Sequence, residues 1–421
     1  MHALAQSLIT TALRAAGAGD AVRRADLATD LAPQLKDPST PLALLAIGKA
    51  SLAMARAAHE SLGPRITHSF ATTLPEHADD PFWKSLPGPA LACDHPLPTP
   101  RNVAAAQHLA HWVQSLPANA VLAVLLSGGA SAHLCSPAPG LTLEDIILAT
   151  RTLQHAGADI HELNCVRRHC EILKGGGLAR LAAPRSIITS ILSDVIGDPL
   201  HDIASGPTAP DQTTRADALA IARKYNLTTI AQFLSLPPGE RAGEGLAAPA
   251  MALPHSRLRI IASNRHVAHA VHEHLTQHHF TTYQLLDIQA SVPDVAALIT
   301  ARAHRHSAHT GPLAILTAGE WTVDTRNCPN PGLGGPSQEL ALTIAHTLKL
   351  TRPWTFITLS TDGRDGPTDH AGAIVTHETG AHDLAAALAR HDATPTLAAL
   401  NCLITTGPTG TNLNHIAVLL T

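Results

Sequence analysis

Eight short apolar runs, most of them separated by helical stretches, constrain this chain more than any other feature. They are "PLALLAIG" (41–48), "AVLAVLLSG" (120–128), "SIITSILSD" (186–194), "RLRIIAS" (257–263), "PLAILTAG" (312–319), "WTFITLS" (354–360), "CLITTG" (402–407) and "HIAVLLT" (415–421). Between them lie alanine-rich amphipathic segments such as "TRADALAIARKYNL" (214–227) and "VPDVAALITARAHRHS" (292–307). Apolar runs that alternate with helices imply an α/β protein whose sheets are largely parallel. The last two runs are a loop apart and are candidates for an antiparallel pair. With 421 residues the chain is long enough for two domains. The stretch "LSLPPGERAGEGLAAPAMALPH" (234–255) is rich in Pro and Gly and lacks periodicity. We therefore expect a first α/β domain over 1–236, a linker over 237–255 and a second α/β domain over 256–421.

Composition removes several functions. A net charge of −4 and only 3% aromatic residues argue against a nucleic-acid surface. No apolar run reaches the roughly 18 residues of a membrane span. The N-terminal segment "MHALAQSLITTALRAAGAGDAVRRAD" reads as an amphipathic helix without the marks of a signal peptide. The six cysteines (93, 135, 165, 170, 328 and 402) show no zinc spacing and read as mostly buried free thiols. A cytoplasmic protein with a small-molecule partner, no membrane and no nucleic acid is expected. The 28 histidines fall mostly in runs such as "HEHLTQHH" (272–279) and "HRHSAH" (304–309), which read as polar helix faces without a closed ligand set.

Five of the apolar runs open directly into polar, glycine-bearing loops: "LLSGGASAH", "LSDVIGDPLHDIASGPTAPD", "TAGEWTV", "STDGRDGPTD" and "TTGPTGTNLN". Ligands of open α/β sheets bind beyond the carboxyl ends of the strands, so these loops predict a ligand cleft. In "SGGAS" (127–131) and "TGPTGTN" (406–412), glycines would let successive N–H groups face an anion; a tight turn is the plainer alternative. Lys49 follows a strand in "LLAIGKAS", yet the phosphate-loop pattern is absent, since only Gly48-Lys49 fits. Lysine is scarce, with six in the chain, which makes Lys49 more noticeable than a snorkelling surface lysine. Asn164, Arg167 and Lys174 are spaced to share one face of a helix over 164–179, where they could hold a carboxylate or simply form a charged face. Aspartates crowd 194–211 and 362–369, a pattern that suits a hard cation such as magnesium. An EF-hand starting at Asp362 fails, because its third and fifth positions are Arg364 and Gly366; a structural calcium turn stays open.

Taken in order, "AIGKAS", "HPLP" (95–98), "LLSGGASA", "GADIHELNCVRRHCEILKGGGLA", "SDVIGDPLHDIASGPTAPD", "GGPSQELAL" (334–342), "TDGRDGPTDHAGA" and "TGPTGTNLNHI" resemble the glycerate kinases of the MOFRL type, some of which are named hydroxypyruvate reductases. The resemblance extends from residue 46 to 416. It implies a Rossmann-like N-terminal domain, a MOFRL-type C-terminal domain and an interdomain cleft. It implies ATP-dependent phosphorylation of D-glycerate, most often at the 2-hydroxyl, with magnesium. Lys49, Asp194, Asp362 and Asp365 become the catalytic candidates, with Asp194 and Asp362 as metal ligands. Asn164, Arg167, Lys174, Gln338 and Glu339 are candidates for substrate. Ser127, Gly128, Gly129, Ser131, Gly206, Thr208, Glu320, Gly407, Gly410 and Asn412 are candidates for nucleotide. A monomer or homodimer is expected. Typical members carry Gly-Gly-Arg-Asn where this chain has Gly334-Gly335-Pro336-Ser337, so Arg326, Arg364, Arg167 or Arg168 would have to supply the missing charge. The alternatives are a kinase of another small hydroxy acid, a nicotinamide-dependent reductase and a non-catalytic binding relative. The nearest dinucleotide fingerprint for the reductase, "GAGDAV" (17–22), ends in valine and follows no strand.

Overall fold

The computed structural model describes residues 2–237 and 252–421. The chain divides into two compact units, one of Ala21–Ile261 and one that joins the residues up to Asp20 to Ala262–Thr421.

The first unit holds a six-stranded sheet in the order β3-β2-β1-β4-β5-β6, formed by β1 (Leu42–Ile47), β2 (Ile66–Thr73), β3 (Ala90–Ala92), β4 (Val121–Leu126), β5 (Ser186–Leu192) and β6 (Ser256–Ala262). The pairings from β3 through β5 are all parallel. All six residues of β1 and of β4 are buried. A parallel strand covered by helices on both faces needs this continuous apolar run. Leu45, Ile47, Leu122 and Val124 pack with Leu109 and Val113 of the helix Pro100–Ser115. Helix starts are written locally: Thr142, Asp159 and Thr214 each close a capping box with the acidic residue three positions on. All six cysteines are free.

The second unit holds β7 (Thr281–Ser291), β8 (Leu313–Thr322), β9 (Thr355–Ser360), β10 (Gly372–Thr376), β11 (Leu403–Ile404) and β12 (His415–Leu420), in the order β11-β10-β9-β12-β8-β7. Only the β7–β8 pair is parallel; the other four pairings are antiparallel. Leu340 and Ile344 of the helix Pro336–Thr347 pack with Ile315, Phe356 and Leu419 in its core.

Several expectations change here. The second sheet is mixed rather than largely parallel. The last two runs do not pair with each other: β11 lies against β10, and β12 is inserted between β8 and β9. β6, expected to open the second domain, extends the first sheet instead. The N-terminal helix His2–Ala16 packs on the helix Asn264–Gln277 of the second unit, where Ser7 Oγ lies 2.9 Å from His274 Nε2. Of the expected linker over 237–255, residues 238–251 lie outside the described residues. Four strands escaped the sequence reading, namely β2, β3, β7 and β10. Each sits at a sheet edge or next to one, where an unbroken apolar run is not required.

Candidate active site

In the first unit the strand order reverses between β1 and β4, which is the point where a doubly wound sheet opens a crevice at its carboxyl edge. Both strand ends are stitched there. Lys49 N donates to Gly128 O at 3.0 Å. Ser127 Oγ accepts from Ala50 N at 3.1 Å and donates to Ile47 O at 3.2 Å. Ser127 is therefore a buried staple of the two loops. Gly129 takes φ +86°, and a Cβ there would stand 2.8 Å from Lys49 Cγ and 3.1 Å from His95 Cδ2. A Cβ on Gly128 would stand 2.1 Å from Asp194 Oδ2. The loops after β1, β4 and β5 thus gather Lys49, the Gly128-Gly129 backbone and Asp194 in one place, with His95 beside them.

The electrostatics follow from that crowding. Desolvation pushes the Asp194 carboxyl up, and the Lys49 ammonium pulls it back. Desolvation by the surrounding loops, and then Lys49, push the His95 imidazole down to about 4, although one side of the residue is open to solvent. Behind it His133 is fully buried, is also pushed down to about 4 by burial, and places Nδ1 3.2 Å from Thr72 Oγ1. His95 lies in the "HPLP" stretch, which carried the resemblance but was given no role.

The helix Ile160–Cys170 adds a second wall. It ends at Cys170 and Glu171 turns extended, so Lys174 is not on the same helix face as Asn164 and Arg167. Lys174 is buried and paired with Glu171 at 2.5 Å, and burial lowers its pKa. Asn164 is also spent internally: Ser205 Oγ donates to its Oδ1 at 2.7 Å and its Nδ2 donates to Asp202 O at 3.2 Å. Ser131 Oγ joins this chain through Ser205 Oγ at 2.9 Å. Arg168 is enclosed by Asp202 and Asp211, each at 2.8 Å, and has no charge to lend elsewhere. Arg167 differs, being half-buried with an Nε that has no hydrogen-bond partner among the described residues. Burial lowers its pKa, and Glu171 opposes that.

Ala204, Ser205 and Gly206 form an unbroken left-handed run with φ of 53°, 59° and 61°. For non-glycine residues this costs about 1–2 kcal/mol each. Gly175 N to Ser205 O at 3.0 Å and Gly176 N to Gly206 O at 2.7 Å hold the run in place. Thr208 is buried and its hydroxyl accepts from Thr189 Oγ1 at 2.9 Å, so it braces the loop rather than facing an open site.

In the second unit the two aspartates of the 360–373 loop separate. Asp365 is fully buried; its Oδ1 accepts from Ser337 N at 2.9 Å and its Oδ2 from Gln338 N at 2.7 Å. It caps the helix Pro336–Thr347. Burial pushes its carboxyl up to about 7, against the pull of the two N–H donors. Gln338 is buried too, bonded to Thr368 at 2.8 Å and Thr394 at 2.6 Å. Neither residue is open to a substrate, because each completes the helix start. Pro336 occupies the first helical position, where a missing N–H costs nothing.

Asp362 is half-buried and receives Ser360 Oγ at 2.8 Å and Arg364 N at 2.9 Å. Its loop is tied to the 406–412 loop by Thr409, whose N donates to Asp362 O at 3.0 Å and whose Oγ1 donates to Thr361 O at 2.7 Å. Gly407 and Gly410 take left-handed φ of +70° and +71° with open space beside them. Asn412 accepts from Asn414 N at 3.1 Å, and Glu320 is half-buried on β8. Glu339 lines a cavity of about 340 Å³ with Thr322, Gly335, Pro336 and His391. Its Oε1 lies 3.0 Å from His391 Nδ1; burial raises the Glu339 carboxyl and His391 opposes it. Arg326 is paired with Asp324 at 2.7 Å and Arg364 is exposed.

Residues 4–235 match the family described as "Domain of unknown function (DUF4147)", and residues 313–415 match the MOFRL family. The first match alone spans more than half of the chain. The chain belongs to the MOFRL-type glycerate kinase family. It is 31% identical over 386 residues to a D-glycerate 2-kinase of Thermotoga maritima, covering 89% of each chain. It is 32% identical to a glycerate 2-kinase of Pyrococcus horikoshii, covering 89% of this chain and 86% of that one. A crystal structure of a glycerate kinase from Thermotoga maritima superposes with a TM-score of 0.85 at 28% identity, over 99% of this chain and 98% of that chain. Among the described residues no helix is long and apolar enough to cross a membrane.

Proposed function

We propose that this protein is an ATP-dependent kinase that transfers a phosphoryl group to D-glycerate, giving 2-phosphoglycerate. The observation that carries this reading is the Lys49, Gly128-Gly129 and Asp194 grouping at the β1–β4 switch point. It occurs in a chain that aligns over 89% of its length with a D-glycerate 2-kinase and shares the fold of a glycerate kinase.

Phosphoryl transfer needs positioning and charge neutralisation more than covalent chemistry by the protein. Lys49 is the group suited to neutralise charge on the transferring phosphoryl group, since its stem packs against Gly129 at the crevice. Gly128 and Gly129 keep that approach free of side chains. Arg167, with an Nε left over in a half-buried place, is the best remaining holder for the glycerate carboxylate. Asn164 and Lys174, spent in internal bonds, support the wall instead.

In the first unit Asp194 is the carboxylate suited to hold a magnesium ion, and in the second unit Asp362 is the separate candidate for that role. Both are carboxylates at strand ends, and the raised carboxyl of Asp194 marks a desolvated oxygen donor that a cation would favour in its charged form. A magnesium ion held there would supply positive charge against the nucleotide phosphates. With Asp365 committed to capping a helix, Asp362 is the better candidate to accept the proton of the attacking hydroxyl.

The reductase reading has little support. The turn after β1 is Gly48-Lys49-Ala50-Ser51 rather than a dinucleotide fingerprint, and "GAGDAV" (17–22) begins at the break after the helix His2–Ala16 and runs into the helix Ala18–Ala25, with no strand before it. The test is to mix the protein with D-glycerate, ATP and magnesium, follow ADP release and identify the product by phosphorus NMR. A 2-phosphoglycerate signal is expected. A 3-phosphoglycerate signal would overturn the regiochemistry, and ADP release only with another hydroxy acid would overturn the substrate.

A further inference from the structure

Among the described residues, one group of three ligating side chains has its donor atoms gathered within 4.8 Å of one another: His161, His201 and Asp202. Asp202 also holds Asn164 and Arg168 of the wall described above, whereas the two histidines have no part in the contacts described there. His161 stands in the first turn of the helix Ile160–Cys170, and His201 and Asp202 stand in the loop that follows β5. Two separate segments therefore converge.

The three groups divide their work in the way a metal centre requires. The Asp202 side chain is fully buried, whereas the imidazoles of His161 and His201 are 62% and 46% exposed. Asp202 Oδ1 is occupied by Arg168 Nη1 at 2.8 Å, and Arg168 is itself fixed by Asp211 at 2.8 Å. That pair orients the carboxylate from behind, as outer partners of metal ligands do. The other oxygen, Oδ2, is turned to both histidines. It contacts His161 Nδ1 and lies 3.5 Å from His201 Nε2. Bonds of about 2.0–2.2 Å to a shared ion place ligand atoms about 3–3.5 Å apart, so small rotations of two exposed imidazoles complete the set.

We propose that His161, His201 and Asp202 bind a divalent transition cation of the zinc class. Two imidazole nitrogens and one carboxylate oxygen suit zinc and its neighbours, whereas magnesium and calcium prefer oxygen donors alone. The exposed side of the two rings leaves the remaining coordination positions to water. The ion would tie the start of the helix to the residue immediately before Ile203 and the left-handed run at 204–206. Asp202 O already accepts from Asn164 Nδ2 and from Ser205 N at 3.0 Å, so the ion would clamp the strained turn from its outer side.

The test is a calorimetric titration of the chelator-treated full chain with Zn²⁺ in excess Mg²⁺. It compares wild type with His161→Ala, His201→Ala and the double variant, each checked for folding by circular dichroism. Wild type is expected to bind one equivalent that each single variant weakens at least tenfold and the double variant loses. Zn²⁺ should also raise the melting temperature of wild type and not that of the double variant. The more conservative His161→Gln and His201→Gln pair should behave like the alanine pair. Equal binding by wild type and the double variant would place the cation on other histidines, such as the 272–279 run, and would overturn the proposal. So would displacement of the zinc by magnesium.

Discussion

Replacing Gly128 with alanine isolates the contact between the glycine loop and Asp194. Gly128 does not have a left-handed φ, so alanine there brings no backbone strain of its own. The added Cβ would stand 2.1 Å from Asp194 Oδ2, where ordinary contact begins at 3.4 Å, so the carboxylate must retreat by about 1.3 Å. Overpacking of that size costs about 1–3 kcal/mol of stability. A misplacement of about 1 Å in a phosphoryl-transfer site costs on the order of a hundredfold in rate. We therefore expect G128A to fold, to melt a few degrees lower and to lose about two orders of magnitude in kcat/KM for D-glycerate, measured by coupled ADP release. Gly157 serves as the control. It has φ +74° with nothing within 4 Å, so G157A should lose stability through strain and keep its rate. A folded G128A enzyme with wild-type kcat/KM would refute the placement of Asp194 in the active site.

K49A should lower turnover at least a hundredfold with an unchanged circular-dichroism spectrum; an unchanged rate would remove Lys49 from the mechanism. D365A should act on stability, losing about 1–3 kcal/mol in urea melts, because Ser337 N and Gln338 N would be left buried and unpaired. D365N should recover only part of the loss, because the amide keeps one acceptor oxygen and turns an NH2 toward the other backbone N–H. His133 and His169 are both buried with imidazoles pushed down to about 4. The unfolded chain binds their protons first, near pH 6.5, so stability should fall as pH drops from about 6.5 to 4, by up to about 3 kcal/mol for each residue. Urea melts across that range should show the fall, and H133Q should flatten part of it. In the cavity of the second unit, E339Q should change KM or kcat with little effect on melting, because Glu339 lines open space; a purely structural Glu339 would change melting alone.

The sequence by itself determined the α/β class, all eight strands that its apolar runs mark, to within a few residues, and the loops that carry Lys49, Asp194 and Asp362. These are local matters. A strand buried on both faces must be apolar along its length, and a strand end that opens into glycines and carboxylates shows in the order of residues. Tertiary structure decided which of the noticeable side chains remain available. Asp365 and Asp362 are three residues apart in one loop, yet one is buried under a helix start and the other is half-open. Lys174 and Arg167 both looked like carboxylate holders, but Glu171 neutralises the first and leaves the second with an unpaired Nε. Sheet edges also lay beyond the sequence: β6 joins the first sheet across the Pro- and Gly-rich stretch, and the first helix joins the second unit. Partner choice of this kind is set by contacts between residues far apart in the chain. The His161, His201 and Asp202 grouping has the same origin, since its ligands come from two segments some 40 residues apart that no spacing rule connects.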